Sequence, residues 1–392
     1  MDVKKKEGIS VLGSTGSIGI NTLEILKRLK QRYTVVGLAA GRNVELLLDQ
    51  ILQTKPKIVS VESEKDAEWL KSKCGKGAPE ILFGSGGAEK VASANDADVV
   101  VSAITGIAGL GPTLAAVKKG KRVALANKES MVSAGPLIRE MAEKNGAKII
   151  PVDSEHSGVF QCLSGINKED IEKVILTASG GPFFRSSKEE LAEKTLEEAL
   201  NHPRWKMGEK VTVDSATMMN KGLELIEAHW LFDVKPDKLD VLIHPQSIVH
   251  ALVILKDGSI LAQLSATDMK IPIQYALTYP ARISPAVSHL NLSEVGKLEF
   301  YPVDQKKFPL VDVARRVMEE GGSAPIALNA ANEVANNAFR SRKIVFTDIS
   351  AVVIKALEKH VQRPIKSLED IYFVDRETRR QTRNILLKKE LL

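Results

Sequence analysis

Six short runs of apolar, β-branched residues recur through the first 150 positions, at 9–12, 34–38, 58–61, 99–103, 123–126 and 149–152. Amphipathic stretches with helical period lie between most of them, such as 22–29 and 44–52. Strands buried on both faces read as continuous apolar runs, and strand–helix alternation closes into a parallel sheet covered on two sides. This confines the N-terminal part of the chain to the α/β class with a Rossmann-type sheet.

After Pro151 the pattern changes. Residues 173–177 read as a strand and 217–232 as a helix, and the runs 248–255 and 260–264 flank Lys256-Asp257-Gly258-Ser259, where Asp-Gly signals a hairpin. Prolines recur and periodicity fades from 279 to 309. Beyond, 326–339, 349–361 and 376–387 show helical period, with Thr347 and Ser367 as candidate caps. The expected division is a Rossmann-type α/β domain over 1–150, a central α+β domain over 151–278, a linker over 279–309 and a C-terminal helical bundle over 310–392.

A chain of 392 residues with 44% hydrophobic residues has enough apolar material for its cores without disulfides. Cys74 and Cys162 match no zinc spacing and read as buried free thiols in a reducing cytoplasm. No apolar run approaches the roughly 20 residues that span a bilayer, and the charged first eight residues form no signal peptide. The net charge of +6 is scattered and not interleaved with aromatics, which argues against nucleic acid and suits a small anionic ligand.

Gly13-Ser14-Thr15-Gly16-Ser17-Ile18-Gly19 follows the first strand and opens the first helix. Glycines there let backbone amides approach a pyrophosphate, whose charge the helix N-terminus stabilises. The other reading is a tight turn without ligand. The second strand ends in Gly41-Arg42-Asn43, with no acid for a ribose 2′-hydroxyl. A guanidinium there suits the 2′-phosphate of NADP, the alternative being a surface arginine.

Asp153-Ser154-Glu155 follows the strand at 149–152, beyond whose carboxyl end an open α/β sheet binds ligands. If the segment stays extended, both carboxylates point to one side and repel unless a cation or a proton sits between them. All-oxygen ligation favours Mg²⁺ or Mn²⁺ over zinc. Helix capping is the competing reading, and a third ligand would decide. Glu224 is the candidate, sharing a helix face with Asn220 and Lys221. A solvated Lys–Glu pair is the alternative, against which stands the polar density around Ser215. Ser215, Asn220 and Lys221 can wrap a phosphate, with another hydroxyl from Ser179 in the turn Ser179-Gly180-Gly181-Pro182. The segment 202–208, His-Pro-Arg-Trp-Lys-Met-Gly, is either a lid carrying Trp205 or a loop that Trp205 pins to the core. His250 reads as a core strand histidine or a ligand. His156, His229, His289 and His360 sit in no motif.

Taken in order, the glycine loop, Ala126-Asn127-Lys128-Glu129-Ser130, Val152-Asp153-Ser154-Glu155-His156, Ser179-Gly180-Gly181-Pro182-Phe183, His202-Pro203-Arg204-Trp205, the 214–224 stretch and Ile243-His244-Pro245-Gln246-Ser247 resemble the 1-deoxy-D-xylulose 5-phosphate reductoisomerases over essentially the whole chain. The resemblance implies rearrangement of that phosphorylated sugar followed by hydride transfer, giving 2-C-methyl-D-erythritol 4-phosphate for non-mevalonate isoprenoid synthesis. It implies NADPH, a divalent ion (Mg²⁺, Mn²⁺ or Co²⁺) and a homodimer joined through the middle domain. It further implies Asp153, Glu155 and Glu224 as metal ligands. Ser179, His202, Ser215, Asn220 and Lys221 are implied at the phosphate, and Lys128, Ser154 and His250 along the rest of the substrate, with Glu155 and Glu224 also facing it. The implied NADPH contacts are Thr15, Gly16, Ser17, Ile18, Gly41, Arg42, Asn43, Asn127, Glu129, Met207 and Gly208. Trp205 and Met207 ride on a closing loop, and Lys128, Glu155, His202 and Trp205 form the implied catalytic set. Two rivals stand at this point: a metal-free NADP-dependent dehydrogenase of the semialdehyde type, and a non-catalytic NADP(H) sensor.

Overall fold

The computed structural model describes residues 6–388. The chain divides into two compact units. Among the described residues the first comprises 6–130, 136–157 and 268–289, and the second 131–135, 158–267 and 290–388.

The first unit is built on seven strands: β1 (Glu7–Leu12), β2 (Tyr33–Ala39), β3 (Ile58–Val61), β4 (Glu80–Phe83), β5 (Val99–Ser102), β6 (Arg122–Leu125) and β7 (Lys148–Pro151). They lie in the order β4-β3-β2-β1-β5-β6-β7, and every pairing is parallel. The helices between them are α1 (Ser17–Arg28), α2 (Val44–Thr54), α3 (Glu64–Cys74), α4 (Gly84–Ser93), α5 (Leu110–Lys118) and α6 (Lys128–Asn145), with α7 (Ser154–Cys162) following β7. The six strands expected from the sequence are present. β4 lies outside that expectation; it is a short edge strand with exposed ends, so its apolar signal is weak. The strand order reverses between β1 and β5, which opens a crevice at their carboxyl ends. α6 is kinked at Ala134, two residues before Pro136, whose ring and missing N–H interrupt the helical ladder.

Residues 268–289 also belong to the first unit. Their helix α11 (Lys270–Thr278) is fastened by a Lys270–Glu24 ion pair of 2.6 Å, and the Tyr33 hydroxyl donates to the Leu277 carbonyl at 3.0 Å. Arg122 donates to the Tyr279 carbonyl at 3.2 Å.

The second unit contains β8 (Ile171–Ala178), β9 (Leu239–Ile243), β10 (Val249–Leu255), β11 (Ile260–Leu264) and β12 (Tyr301–Pro302), in the order β11-β10-β8-β9-β12. β8 and β9 run parallel, and the other pairs are antiparallel. The expected hairpin joins β10 to β11, with Gly258 at φ 86°. The unit's helices are α8 (Leu196–Leu200), α9 (Glu209–Ala216), α10 (Met219–Phe232), α12 (Leu292–Val295), α13 (Leu310–Glu320), α14 (Ala324–Arg340), α15 (Asp348–Glu358) and α16 (Leu368–Lys388). One apolar core joins β8–β10 to α10 and the helices α13–α16, with Leu176, Leu223, Val253, Ala314, Leu328 and Val352 among its buried members.

Several local expectations are corrected. The helix read over 217–232 begins at Met219, because Met218 is left-handed at φ 61° and Thr217 closes α9. Thr217 causes the break locally: its hydroxyl donates to the Asp214 carbonyl and accepts from the Met219 amide, at 3.2 and 3.3 Å, in competition with helical bonding. Of the two candidate caps, Ser367 serves α16, accepting from the Asp370 amide at 3.2 Å. Thr347 makes no such bond, and Asp348 instead accepts from the Val345 amide at 3.1 Å. The two cysteines are free but only half-buried, and desolvation pushes the Cys162 thiol up to about 11. No helix among the described residues is long and apolar enough to cross a membrane.

Candidate functional site

In the first unit the glycine loop is shaped by close approach. Gly13 sits at φ 81°, and a Cβ there would meet the Ala103 carbonyl oxygen at 2.5 Å. A Cβ on Gly19 would lie 2.3 Å from the Gly13 oxygen, so only glycine lets α1 pack this tightly against the end of β1. Gly16 is the extended N-cap of α1 and makes no side-chain cap, and the first turn holds no acid. The Gly16 amide donates to the Gly13 carbonyl at 3.1 Å, and the amides of the first turn of α1 are left for an anion. Arg42 lies beyond β2, highly exposed, with its guanidinium 3.1 Å from Glu62. The Asn43 side chain caps α2 by accepting from Leu46 at 3.2 Å.

Adjacent strands β6 and β7 bring two functional segments to the same end of the sheet. Asn127 is buried and caps α6 through Ser130, while its amide donates to Ile104, Gly106 and Glu129 at 2.6, 3.0 and 3.1 Å. Its side chain therefore serves as the bracket for the next two residues. Lys128, 7% exposed, reaches the Asp153 carboxylate at 2.7 Å. The 153–155 segment is not extended. α7 begins at Ser154, the Ser157 amide donates to the Asp153 carbonyl at 2.8 Å, and Glu155 lies in the helix's first turn beside the Ser154 hydroxyl. The alternation argument for the two carboxylates fails here, because the chain turns helical immediately after β7.

In the second unit β8 delivers Ser179 to the turn 179–182, where Gly180 and Gly181 take φ values of 84° and 67°. A Cβ on Gly181 would stand 2.7 Å from the Ser215 carbonyl oxygen, and that closeness sets the Ser179 turn against the end of α9. His202 Nδ1 accepts the amides of Arg204 and Trp205 at 3.2 and 2.9 Å. The neutral ring then carries its proton on Nε2, which donates to Ser179 Oγ at 2.9 Å. The Gly181 amide also donates to that oxygen, at 3.1 Å, so the serine's own proton is directed outward. Asn220, Lys221 and Glu224 share the opening turns of α10. Glu224 is fully buried and Lys221 4% exposed; Nζ lies 2.6 Å from one Glu224 oxygen, and the Asn220 amide donates to the other. The alternative of a solvated pair is excluded by this burial. A carboxylate so desolvated is tolerated only with cationic or hydrogen-bonding partners.

Trp205 is partly buried, its ring centroid 6.4 Å from that of buried His250. Arg204 donates to the Pro245 carbonyl at 3.1 Å. The 244–247 turn that receives it is rigid: His244 is buried, donates through Nδ1 to the Glu299 carbonyl at 2.8 Å and stacks on Phe300, while Ser247 is left-handed at φ 53°. Met207 and Gly208 end the loop, and Gly208 is the N-cap of α9. The sequence reading missed Asn332 and Asn336, buried on α14, which donate to the Asp214 carboxylate at 2.9 and 2.8 Å. Their signal was a row of asparagines, Asn329, Asn332 and Asn336, at helical spacing in an alanine-rich, largely apolar stretch.

Among the known proteins compared, three family signatures match in succession. They are 1-deoxy-D-xylulose 5-phosphate reductoisomerase over residues 9–135, its C-terminal domain over 149–232, and the DXP reductoisomerase C-terminal domain over 264–381. The chain is similar to the reductoisomerase of Prosthecochloris aestuarii, 49% identical over 94% of this chain and 97% of the relative. It is 48% identical to that of Chlorobium phaeobacteroides (strain DSM 266), over 96% and 98%. It superimposes on the Zymomonas mobilis enzyme solved with NADPH, with a TM-score of 0.92, 41% identity and coverage of 97% and 99%. A DOX-P reductoisomerase solved with NADPH, fosmidomycin and magnesium gives a TM-score of 0.92, 40% identity and coverage of 98% and 99%.

Proposed function

The chain belongs to the 1-deoxy-D-xylulose 5-phosphate reductoisomerase family, and we infer from this that it converts 1-deoxy-D-xylulose 5-phosphate to 2-C-methyl-D-erythritol 4-phosphate with NADPH and magnesium. The observation that carries the reading is a likeness extending over nearly the whole chain to a structure that holds both NADPH and magnesium. Neither the metal-free dehydrogenase nor the NADP(H) sensor accounts for the match beyond Pro151.

The proposed labour is divided as follows. Thr15, Gly16, Ser17 and Ile18 cradle the pyrophosphate at the open N-terminus of α1, and Gly41, Arg42 and Asn43 meet the adenosine ribose, Arg42 exchanging Glu62 for the 2′-phosphate. Glu129, bracketed by Asn127, and Met207 with Gly208 complete the dinucleotide contacts. Asp153, Glu155 and Glu224 would hold the ion. The fit is chemical: all three offer hard carboxylate oxygens, and Asp153 and Glu224 already draw positive charge to themselves, from Lys128 and Lys221. The ion, when bound, supplies Lewis-acid polarisation of the substrate oxygens, as NADPH supplies the hydride.

The remaining work falls to the chain itself. Ser179 donates its hydroxyl proton to the substrate phosphate because His202 and Gly181 already donate to its oxygen. Ser215 and Asn220 add donors, and Lys221 adds charge. Lys128, buried beside Asp153, holds an ammonium where negative charge develops on substrate oxygens and can return a proton to them. Ser154 and His250 position the carbon skeleton. Trp205 covers it and excludes water, so that the rearranged carbonyl is reduced before it escapes. Phosphate contacts remote from the reacting carbons supply binding energy for that closure.

The test is NADPH oxidation with 1-deoxy-D-xylulose 5-phosphate, with and without EDTA, for wild type and Glu224→Gln. We expect oxidation that EDTA abolishes and Mg²⁺ restores, and a loss of at least about a hundredfold in the variant. Oxidation that survives EDTA removes the metal from the reading; none at all, with NADPH still bound, removes the substrate. A homodimer is also proposed: β11 is an edge strand with exposed Ile260, suited to pairing with a second copy. Free, half-buried thiols suit the reducing cytoplasm.

A further inference from the structure

The C-terminal helices carry no residue of the proposed site, yet α14 reaches it through a polar ladder. Asn332, Asn336 and Arg340 follow one another at intervals of one turn, on one face of α14. Opposite them lies α9. The Asp214 carboxylate, 1% exposed, accepts through one oxygen from Asn332 and Asn336, at 2.9 and 2.8 Å. Its other oxygen lies 3.0 Å from Lys210 Nζ. The Asn336 amide also donates to the Lys210 carbonyl at 2.9 Å, and Arg340 pairs with Glu209 at 3.1 Å. The three rungs thus span α9 from its first residue to the one before Ser215.

Plain adhesion between helices does not call for this chemistry. Burying a carboxylate is costly, and a leucine pair would glue α9 to α14 with less penalty. Directional donors on one carboxylate fix what apolar contact does not, the rotation of α9 about its own axis and its position along it. Asp214 stands next to Ser215, and its carbonyl accepts from Thr217, the residue that turns the chain through Met218 into Asn220 and Lys221. Three of the proposed phosphate contacts therefore hang from the group that α14 grips.

We propose that Asn332 and Asn336, acting through Asp214, are positioning residues for the substrate phosphate. The inference rests on the reading of Ser215, Asn220 and Lys221 as phosphate contacts. None of the three positioning groups touches substrate. A misplacement of even 1 Å in such a cradle can cost up to about a hundredfold.

The test uses the full-length enzyme with NADPH and Mg²⁺. Steady-state constants and competitive inhibition by inorganic phosphate are measured for Asn336→Leu, Asn332→Leu, Arg340→Ala and Ser215→Ala. For the asparagine variants, KM for the sugar phosphate and the inhibition constant of inorganic phosphate should rise together by about tenfold, while kcat and the KM for NADPH stay within about 1.5-fold. Arg340→Ala, at a partly exposed site that does not endanger folding, should show the same split at about threefold. If the asparagine variants fail to fold, Arg340→Ala alone decides. Unchanged constants in folded variants, or equal losses in all four quantities, would overturn the proposal. Ser215→Ala separates the two failures: if it too leaves the inhibition constant unmoved, the phosphate reading itself is wrong.

Discussion

At the scale of single residues, the site is a set of buried charges and hydrogen-bonding groups whose partners the sequence could not reveal. Residue types and spacings pointed to Asp153, Glu155 and Glu224, because acids beside small polar residues are chemically suggestive wherever they fall. That Asn127 spends its side chain on bracketing α6, or that Asp214 is held by two asparagines more than a hundred positions away, depends on tertiary contacts that leave no local pattern. Histidines show the same limit. His360 sits in no motif, yet its Nε2 meets the Ser323 hydroxyl at 2.8 Å, and burial holds both His360 and His244 below the ordinary imidazole range. The sign of the consequence is fixed. The unfolded chain takes up these protons first, so their contribution is fully present above about pH 6.5 and is lost as the pH falls through that value toward the depressed folded values. Urea unfolding should therefore show stability falling below about pH 6.5, with a shallower fall in His360→Gln. An unchanged slope in that variant would remove His360 from the account.

Elements were more legible than residues. Parallel strands buried on both faces announce themselves as apolar runs, so the first sheet was readable nearly strand by strand, and Asp-Gly announced the β10–β11 hairpin. Failures came where short-range competition or weak burial decides. A threonine hydroxyl and one left-handed methionine delay the expected helix to Met219 and separate it from α9, which the sequence reading left as loop, and the edge strand β4 is too short and too wet to show. The glycine loop gives a prediction at this scale. Gly19→Ala places a methyl group against the Gly13 carbonyl and must push α1 from the end of β1. NADPH affinity measured by fluorescence titration should fall at least about tenfold, about 1.4 kcal/mol, while the inhibition constant of inorganic phosphate stays put. Equal loss of both would mean a general unfolding rather than a displaced helix.

For the whole molecule, the assignment of 268–289 to the first unit was not readable, since a returning helix has the same amphipathic pattern wherever it docks. Two compact units, each with its own sheet, need not melt together. Calorimetry with NADPH at a hundred times its dissociation constant should raise the stability of the unit that holds it by about 2.7 kcal/mol. A molecule melting in one transition that NADPH leaves unmoved would contradict the placing of the dinucleotide. The ring of His202 has a consequence of its own for how ligands are told apart. One nitrogen secures the amides of Arg204 and Trp205, and the other is spent on Ser179. An anion that draws on the serine hydroxyl is thereby linked to the order of the loop, and linkage is reciprocal. Mimics of the reacting carbons alone would forgo the loop's help. If Ser179 meets the substrate phosphate as proposed, an anionic tail is worth more than its own contacts, and discrimination against uncharged sugars follows from a single imidazole.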